Sequence, residues 1–214
     1  SALWALSVTG LGGFFLLASF VMMNSITGTF SIQELFSQSE VLQSNYQYYV
    51  IIAFLFLGAF TKSAQFPFHF WLPGAMKAPT PVSAYLHSAT MVKAGIYLLA
   101  RFTPILSDGE VWNMVLMCVG GTTMVVGAFL SVFKVDMKSV LAYSTISALG
   151  ILVFLIGIGT ETALLAASTF ILVHALYKAS FFMITGIVDH ETHTRDLTVL
   201  SGLKKKLPIV AICA

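Results

Sequence analysis

The apolar runs of this chain decide what it can fold into. Leu, Ile, Val, Phe, Ala and Gly recur in long stretches along its 214 residues, and several stretches reach about 20 residues, the length of an α-helix that crosses a bilayer. Hydrophobic residues make up 57% of the chain and charged residues 9%, whereas soluble domains carry about 25% charged residues. The sequence therefore predicts an all-α fold, a polytopic transmembrane helical bundle in the lipid bilayer.

Six membrane spans can be drawn, together with the start of a seventh near Leu207. The predicted spans are residues 3–23, 46–71, 81–101, 111–133, 139–158 and 162–188. The connections between them are short, apart from residues 24–45, where 32–36 predict a short surface helix, and residues 189–206. We expect residues 1–214 to be a fragment of a single transmembrane module that other regions complete.

The basic residues of the loops predict the orientation of the spans. One set of alternate loops holds Lys77, Lys134, Lys138, Arg195 and residues 204–206, whereas the other set is acidic, with Arg101 at its border. Because loops rich in Lys and Arg stay on the cytoplasmic side, the first set is predicted to be cytoplasmic and the second external.

Three lysines lie within the apolar runs, and no acidic residue lies there with them. They are Lys62, Lys93 and Lys178, whereas the nine acidic residues fall between the runs: Glu34, Glu40, Asp108, Glu110, Asp136, Glu161, Asp189, Glu191 and Asp196. An ammonium at the bilayer centre costs about 2.5–3.5 kcal/mol on insertion scales, so a chain that only spanned the membrane would place Leu there. The lysines therefore indicate movement of charge through a membrane, with a carboxylate partner supplied from elsewhere.

The second span contains a predicted break. Pro67 removes a backbone donor and clashes with the preceding turn, so the helix is predicted to kink or open near Ala64. Irregular backbone at membrane depth is tolerated where it is buried in protein or lines a water-filled cavity, and interrupted helices mark the binding sites of transporters. Lys62 lies about one turn before this break, with Gln65 as a polar neighbour. The alternative is a lysine that snorkels from the helix end.

Histidines accompany the other two interior lysines. His87 and Lys93 share the third span, where a regular helix would point them about 120° apart and place Lys93 and Tyr97 on one face. His174 and Lys178 share a face of the sixth span. Histidine titrates near neutral pH, so these pairs suit proton transfer. The alternative for His87 is an interior histidine bonded to a backbone carbonyl.

Other polar features predict less chemistry. Cys118 and Cys213 stand alone, without the spacing of metal ligands. Residues 189–193 (DHETH) lack the helical i,i+4 histidine pair of a zinc site, so we interpret this segment as a solvated loop. Lys138, at the cytoplasmic end of the fifth span, is interpreted from composition alone as a solvated flanking lysine. Because no basic patch with interleaved aromatic residues is present, nucleic acid is not an expected partner. We expect no metal and no cofactor.

Several motifs resemble a known family. Residues 62–73 (KSAQFPFHFWLP), 79–84 (PTPVSA) and 87–92 (HSATMV) resemble the proton-antiporter module shared by respiratory complex I membrane subunits and multisubunit Mrp-type Na+/H+ antiporters. Residues 140–145 (VLAYST) and 174–178 (HALYK) match its later motifs. Residues 75–79 (AMKAP) and the Lys93 motif are most similar to the A-type subunits of Mrp antiporters, because complex I relatives usually carry an acidic residue and Gly at positions 77 and 78.

The resemblance implies a 14-helix module with two inverted five-helix repeats and a broken helix near Pro67. It also implies a proton path along a central polar axis. Together with the interior residues identified above, this axis comprises Lys62, His87, Lys93, Lys138, His174 and Lys178. Lys138 then becomes the linking lysine, and a glutamate on another helix supplies the carboxylate. One departure is Phe170, which stands where some relatives have a second histidine.

The resemblance also implies a function. We expect a membrane subunit of a secondary Na+/H+ antiporter, not an enzyme, that works with other membrane subunits in a bacterial plasma membrane and exchanges protons for sodium. Two alternatives stay open. The first is a proton-pumping subunit of complex I, whose redox chemistry would lie in its partners. The second is a structural membrane anchor with degenerate sites.

Overall fold

The fold is helical throughout the part of the chain that the structure describes. A computed structural model describes residues 2–88, 90–107 and 110–213; Asp108, predicted to lie in a loop, is outside them. The helices are α1 (Ala2–Thr27), α2 (Ile32–Ser37), α3 (Ser39–Gln43), α4 (Tyr48–Lys62), α5 (Trp71–Gly74), α6 (Thr80–Ser88), α7 (Met91–Leu106), α8 (Val111–Val132), α9 (Met137–Ile158), α10 (Glu161–Thr192), α11 (Leu203–Lys206) and α12 (Pro208–Cys213). The predicted all-α class is confirmed.

The predicted spans correspond to apolar helical stretches. Five are long and apolar enough to cross a membrane: Leu3–Thr27, Thr80–Leu106, Val111–Val132, Met137–Ile158 and Glu161–Thr192. The second predicted span differs, because α4 ends at Lys62 and is a shorter apolar helix. The predicted seventh span corresponds to the start of α12. The bundle is therefore polytopic, and its second predicted span is interrupted.

The two long connections contain more helix than the sequence predicted. The surface helix expected at 32–36 is α2, but α3 was not predicted. Residues 189–192, interpreted as part of a solvated loop, instead continue α10, which runs for 32 residues without a Pro. His193 ends this helix in a left-handed conformation with φ 53°.

The two predicted sets of loops lie at opposite ends of the bundle. At one end, Met137 N donates to Arg195 O at 3.0 Å and Leu197 N donates to Val135 O at 2.9 Å. These bonds join the loop before α9 to the segment after α10, both from the lysine-rich set. At the other end, Gln43 Nε2 donates to Ile105 O at 3.0 Å, which joins two loops of the acidic set.

Glycines bring α8 and α9 into direct backbone contact. A Cβ placed on Gly120 would lie 2.5 Å from Phe154 N and 2.8 Å from Gly150 O. A Cβ on Gly127 would lie 2.6 Å from Ser147 N. Small residues at helix contacts are typical of membrane proteins, where close van der Waals packing replaces the hydrophobic effect between helices. The helices α8 and α9 therefore pack with their backbones in direct contact.

The broken helix α4 is held between α1 and α7 in a similar way. A Cβ on Gly12 of α1 would overlap the Thr61 side chain at 1.8 Å. A Cβ on Gly95 of α7 would lie 2.2 Å from Ala59 O. Both sides of the last turn of α4 thus touch a neighbouring backbone, so the end that carries Lys62 has a defined position.

We expect Gly120→Ala to destabilise the protein and the neighbouring Gly121→Ala to leave it stable. A Cβ on Gly121 meets only the Phe154 ring at 3.5 Å, an ordinary contact, and Ala favours a helix by up to about 1 kcal/mol over Gly. A Cβ on Gly120 displaces backbone, and overpacking of this kind costs about 1–3 kcal/mol. Thermal denaturation of the two variants in detergent measures the difference, and equal midpoints would contradict the packing.

Candidate functional site

The break predicted in the second span is present. Helix α4 ends at Lys62, and Ala64 has a positive φ of 47°, which a residue with a Cβ rarely adopts. The chain then runs irregularly to a 3₁₀ turn at Phe68–Phe70. The predicted opening near Ala64 is confirmed. It follows the last turn of α4, which contacts both α1 and α7.

Three hydrogen bonds take up backbone groups that the break releases. Gln65 N donates to Phe60 O at 2.9 Å. The indole Nε1 of buried Trp71 donates to Thr61 O at 3.0 Å. Phe66 N donates to the hydroxyl of Thr123 on α8 at 3.0 Å. A backbone polar group without a partner is costly inside a membrane, so these bonds are what allows an open helix at this depth.

Lys62 lies apart from the other interior cations. It is half-buried, and its Nζ faces α1, at 3.9 Å from a Cβ placed on Gly13. No acidic residue of the described chain lies within ion-pair distance of Lys62, because all ion pairs found there involve His190 or Arg195.

Lys93 is buried at the junction of three helices. Its side chain is 7% exposed, and its Nζ donates to Ser88 O at the end of α6 and to Ile171 O of α10 at 3.0 Å. Tyr97 lies one turn later on the same helix, as the i,i+4 spacing predicted, but it is 67% exposed. The polar contacts of Lys93 are therefore the two backbone carbonyls.

A second interruption lies beside Lys93 and was not predicted. Regular helix stops at Ser88 and resumes at Met91, and Thr90 has φ −116° and ψ −110°. The expectation of a regular third span, with His87 and Lys93 about 120° apart, is therefore wrong. Ser88 Oγ donates to Ala84 O at 2.6 Å and Thr90 Oγ1 donates to Tyr85 O at 3.0 Å. Hydroxyl side chains that bond nearby carbonyls in this way compete with the hydrogen bonds of the helix. Ser88 and Thr90 are therefore the sequence signal for this interruption.

Helix α10 presents His174 and Lys178 to the interior on one face, as predicted. Both are buried, at 0% and 2% exposure. Lys178 Nζ donates to Ser144 Oγ at 2.5 Å and to Leu141 O at 3.2 Å, both on α9. His174 packs edge-on against Phe170, with ring centres 6.0 Å apart.

Four buried groups from three helices form what we call the interior row: Lys93, His174, Lys178 and His87. His174 is close enough to interact electrostatically with Lys93 and Lys178. His87, fully buried against the Phe182 ring at 5.0 Å, interacts in the same way with Lys178 and His174. The described structure thus brings four of the six predicted site residues together.

The two histidines of the interior row have unusual surroundings. Neither ring nitrogen of His87 or of His174 has a hydrogen-bond partner among the described residues. The alternative of a His87 bonded to a backbone carbonyl is therefore wrong within that part of the chain. Buried polar atoms of this kind are ordinarily satisfied by ordered water. The row is therefore suited to proton transfer through bound water.

Lys138 lies at the lysine-rich end of the bundle and is buried rather than solvated. It is 3% exposed, and its Nζ donates to Ala78 O at 3.0 Å. The expectation of a solvated flanking lysine is therefore wrong. Beside it, Arg195 pairs with Asp136 at 3.1 Å and approaches Asp189 at 4.0 Å. Lys138 interacts electrostatically with all three charges, so it has acidic neighbours that the interior row does not have.

Comparison with known proteins places the chain in a family. The family described as "NADH:quinone oxidoreductase/Mrp antiporter, TM" matches residues 1–214. The chain belongs to this family. Among solved structures, a chain of the Mrp complex from Dietzia sp. is 48% identical, with a TM-score of 0.92 over 99% of this chain and 23% of that one.

Curated family members name different cations. An A/B-type subunit of a K(+)/H(+) antiporter from Rhizobium meliloti is 46% identical over 98% of this chain and 21% of its own length. An A-type subunit of a Na(+)/H(+) antiporter from Bacillus subtilis is 45% identical over 96% of this chain and 27% of its own length. The antiporter subunit mnhA2 of Staphylococcus saprophyticus is 50% identical over 99% of this chain and 28% of its own length. The chain therefore spans 21–28% of the length of these relatives.

We expect Thr123→Val to loosen the break and Thr123→Ser to preserve it. Valine has the shape of threonine but no hydroxyl, so the Phe66 amide loses its acceptor at a cost of about 1 kcal/mol. Amide hydrogen exchange at Phe66 should become faster in the valine variant only. Equal exchange in both variants would contradict the role of this bond.

Proposed function

We propose that this chain is part of a membrane subunit of a multisubunit cation/proton antiporter and that it carries protons along the interior row. One observation supports this most strongly. Four titratable side chains are buried in segments of membrane-spanning length, in electrostatic contact, with no acid paired to them among the described residues. Such groups are costly in a bilayer and mark ion pathways and proton relays there.

The arrangement supports an electrostatic mechanism. Each lysine of the interior row is bonded to carbonyl or hydroxyl oxygens, which bind an ammonium without cancelling its charge. A proton on one member therefore disfavours a proton on its neighbour, because like charges destabilise each other at short range. A proton that arrives at Lys178 pushes charge away from His174 and Lys93, and water links the steps. Lys138 connects the row to the lysine-rich end of the bundle. Lys62 lies on the side of the break that faces α1, away from the interior row.

Sodium is the coupling cation that we propose. The Bacillus subtilis relative is named for Na+, whereas the Rhizobium meliloti relative is named for K+. The residues described here contain no group of three or more His, Cys, Asp or Glu side chains that could hold a metal ion. Exchange driven by proton gradients, measured separately with Na+ and K+ salts in everted vesicles, distinguishes the two cations.

We further propose that residues 1–214 form part of one 14-helix module with inverted repeats and that other membrane subunits cover its outer faces. The match to about a quarter of a chain in the Mrp complex supports this. The named relatives are antiporter subunits, which favours this assignment over a place in complex I. A degenerate membrane anchor would leave the burial of four titratable groups without a use.

Replacement of Lys178 by Ala should reduce cation/proton exchange by at least about tenfold, since a positioned proton-transfer group contributes about 10²–10⁴ to a rate. The matched control is Lys204→Ala, in the exposed loop that carries α11. Everted vesicles that contain the complete antiporter provide the measurement, with assembly checked by native gel. Unchanged exchange by an assembled Lys178→Ala complex would remove this lysine from the path.

We propose that the chain resides in a bacterial plasma membrane with its lysine-rich end in the cytoplasm. In a background with Cys118→Ser and Cys213→Ser, the substituted cysteine of Lys204→Cys should react with an impermeant thiol reagent in everted vesicles only. A cysteine at Thr162, which is exposed at the other end, should react in intact cells only. The opposite pattern would reverse the orientation.

A further inference from the structure

The proton path proposed above has a gap between Lys62 and the interior row. Lys62 Nζ faces α1 beside Gly13, whereas the row lies on α6, α7 and α10. Lys93 is the row member on α7, which packs against the other side of α4 through Gly95. A proton that moves between the two needs polar groups on the side of α4 that faces α7.

Ser63 lies at that side. It follows Lys62 directly, it is fully buried, and its Oγ lies 2.5 Å from a Cβ placed on Gly95 of α7. Its hydroxyl has no hydrogen-bond partner among the described residues. Other buried hydroxyls in this bundle donate to a carbonyl of their own helix, as those of Thr103 and Thr145 do at 2.8 and 2.7 Å. The free hydroxyl of Ser63 is therefore a feature of the break.

Gln65 adds a second buried polar atom at the same place. Its Nε2 donates to Ser63 O at 3.0 Å, which fixes the orientation of the amide, and the residue is fully buried. Its Oε1 accepts no hydrogen bond within the described chain. A buried acceptor and a buried hydroxyl two residues apart can hold a water molecule, because such a water needs two to four polar partners.

We propose that Ser63 relays protons between Lys62 and the interior row. Gln65 Oε1 binds a water molecule that takes part in this relay. This inference rests on the proposed function. A hydroxyl donates one hydrogen bond and accepts others at the same time. The Lys62 ammonium gives a proton to water, Ser63 Oγ accepts a proton from that water, and Ser63 passes its own proton to water on the α7 side. Ser63 is neutral before and after, the Lys62 ammonium becomes a neutral amine, and a Lys93 that starts the step as a neutral amine takes up the proton and becomes an ammonium.

The competing explanation is that Ser63 is only a small residue that fits against Gly95. Ser63→Ala separates the two, because alanine keeps the fit and removes the hydroxyl. Ser19→Ala is the matched control: Ser19 is also fully buried, but its hydroxyl is satisfied by Ile51 O at 3.0 Å, on the α1 side of α4. Both variants are made in the complete antiporter and assayed in everted vesicles.

We expect Ser63→Ala to slow exchange by at least about tenfold and to increase the ratio of the rates in H2O and D2O, because proton relay becomes limiting. Ser19→Ala should leave both quantities unchanged. Ser63→Cys, which keeps nearly the same shape but is a weak donor and acceptor, should behave like Ser63→Ala. A slower rate with an unchanged isotope ratio assigns Ser63 to packing and overturns the relay.

Two further outcomes also overturn it. Exchange at the unsubstituted rate in an assembled Ser63→Ala complex shows that protons bypass the hydroxyl. Failure of both the alanine and the cysteine variant to assemble shows that Ser63 acts in packing. The result with Lys178→Ala separates this inference from the proposed function. If Lys178→Ala abolishes exchange and Ser63→Ala does not, only the relay fails; if neither variant slows exchange, the proposed path fails with it.

Discussion

The bundle depends on how it binds an ammonium group without a carboxylate. Lys93, Lys138 and Lys178 are each bonded to backbone carbonyls or a hydroxyl rather than to an acid. Removal of a charge from water costs several kcal/mol, and neutral oxygens recover part of that cost while the charge itself remains. An ion pair with a carboxylate would favour the charged lysine strongly. Neutral partners leave Lys93 and Lys178 able to lose their protons, which a relay requires and a purely structural lysine does not.

Helix ends supply two of the oxygens that bind these lysines, and carbonyls within α9 and α10 supply two others, Leu141 O and Ile171 O. A carbonyl inside a regular helix already accepts a bond from its own helix, whereas one at a helix end is free to accept another. Ser88 O, at the end of α6, accepts from Lys93, and Ala78 O, just before the start of α6, accepts from Lys138. The short helix that carries His87 is therefore held at both ends by lysines from two other helices.

Sequence reasoning predicted the features that are local to the chain. Pro67 indicated the break near Ala64, hydropathy indicated the spans, and spacing placed His174 and Lys178 on one face. It did not predict the interruption after Ser88, because no proline or glycine lies there and the cause is competition from Ser and Thr hydroxyls. Composition also misjudged Lys138, since a loop from a distant part of the chain covers it. Contacts between distant segments decide such cases, and local patterns do not contain them.

The length of α10 has a mechanical consequence. Its 32 residues form a rod of about 48 Å, whereas the hydrocarbon core of a bilayer is about 30 Å thick. The charged end with Asp189 and Glu191 therefore projects beyond the apolar layer, unless the helix tilts steeply. Because the helix is continuous, its charged end and Lys178, which bonds Ser144 on α9, belong to one element. A single helix therefore connects the region outside the apolar layer with a lysine inside it.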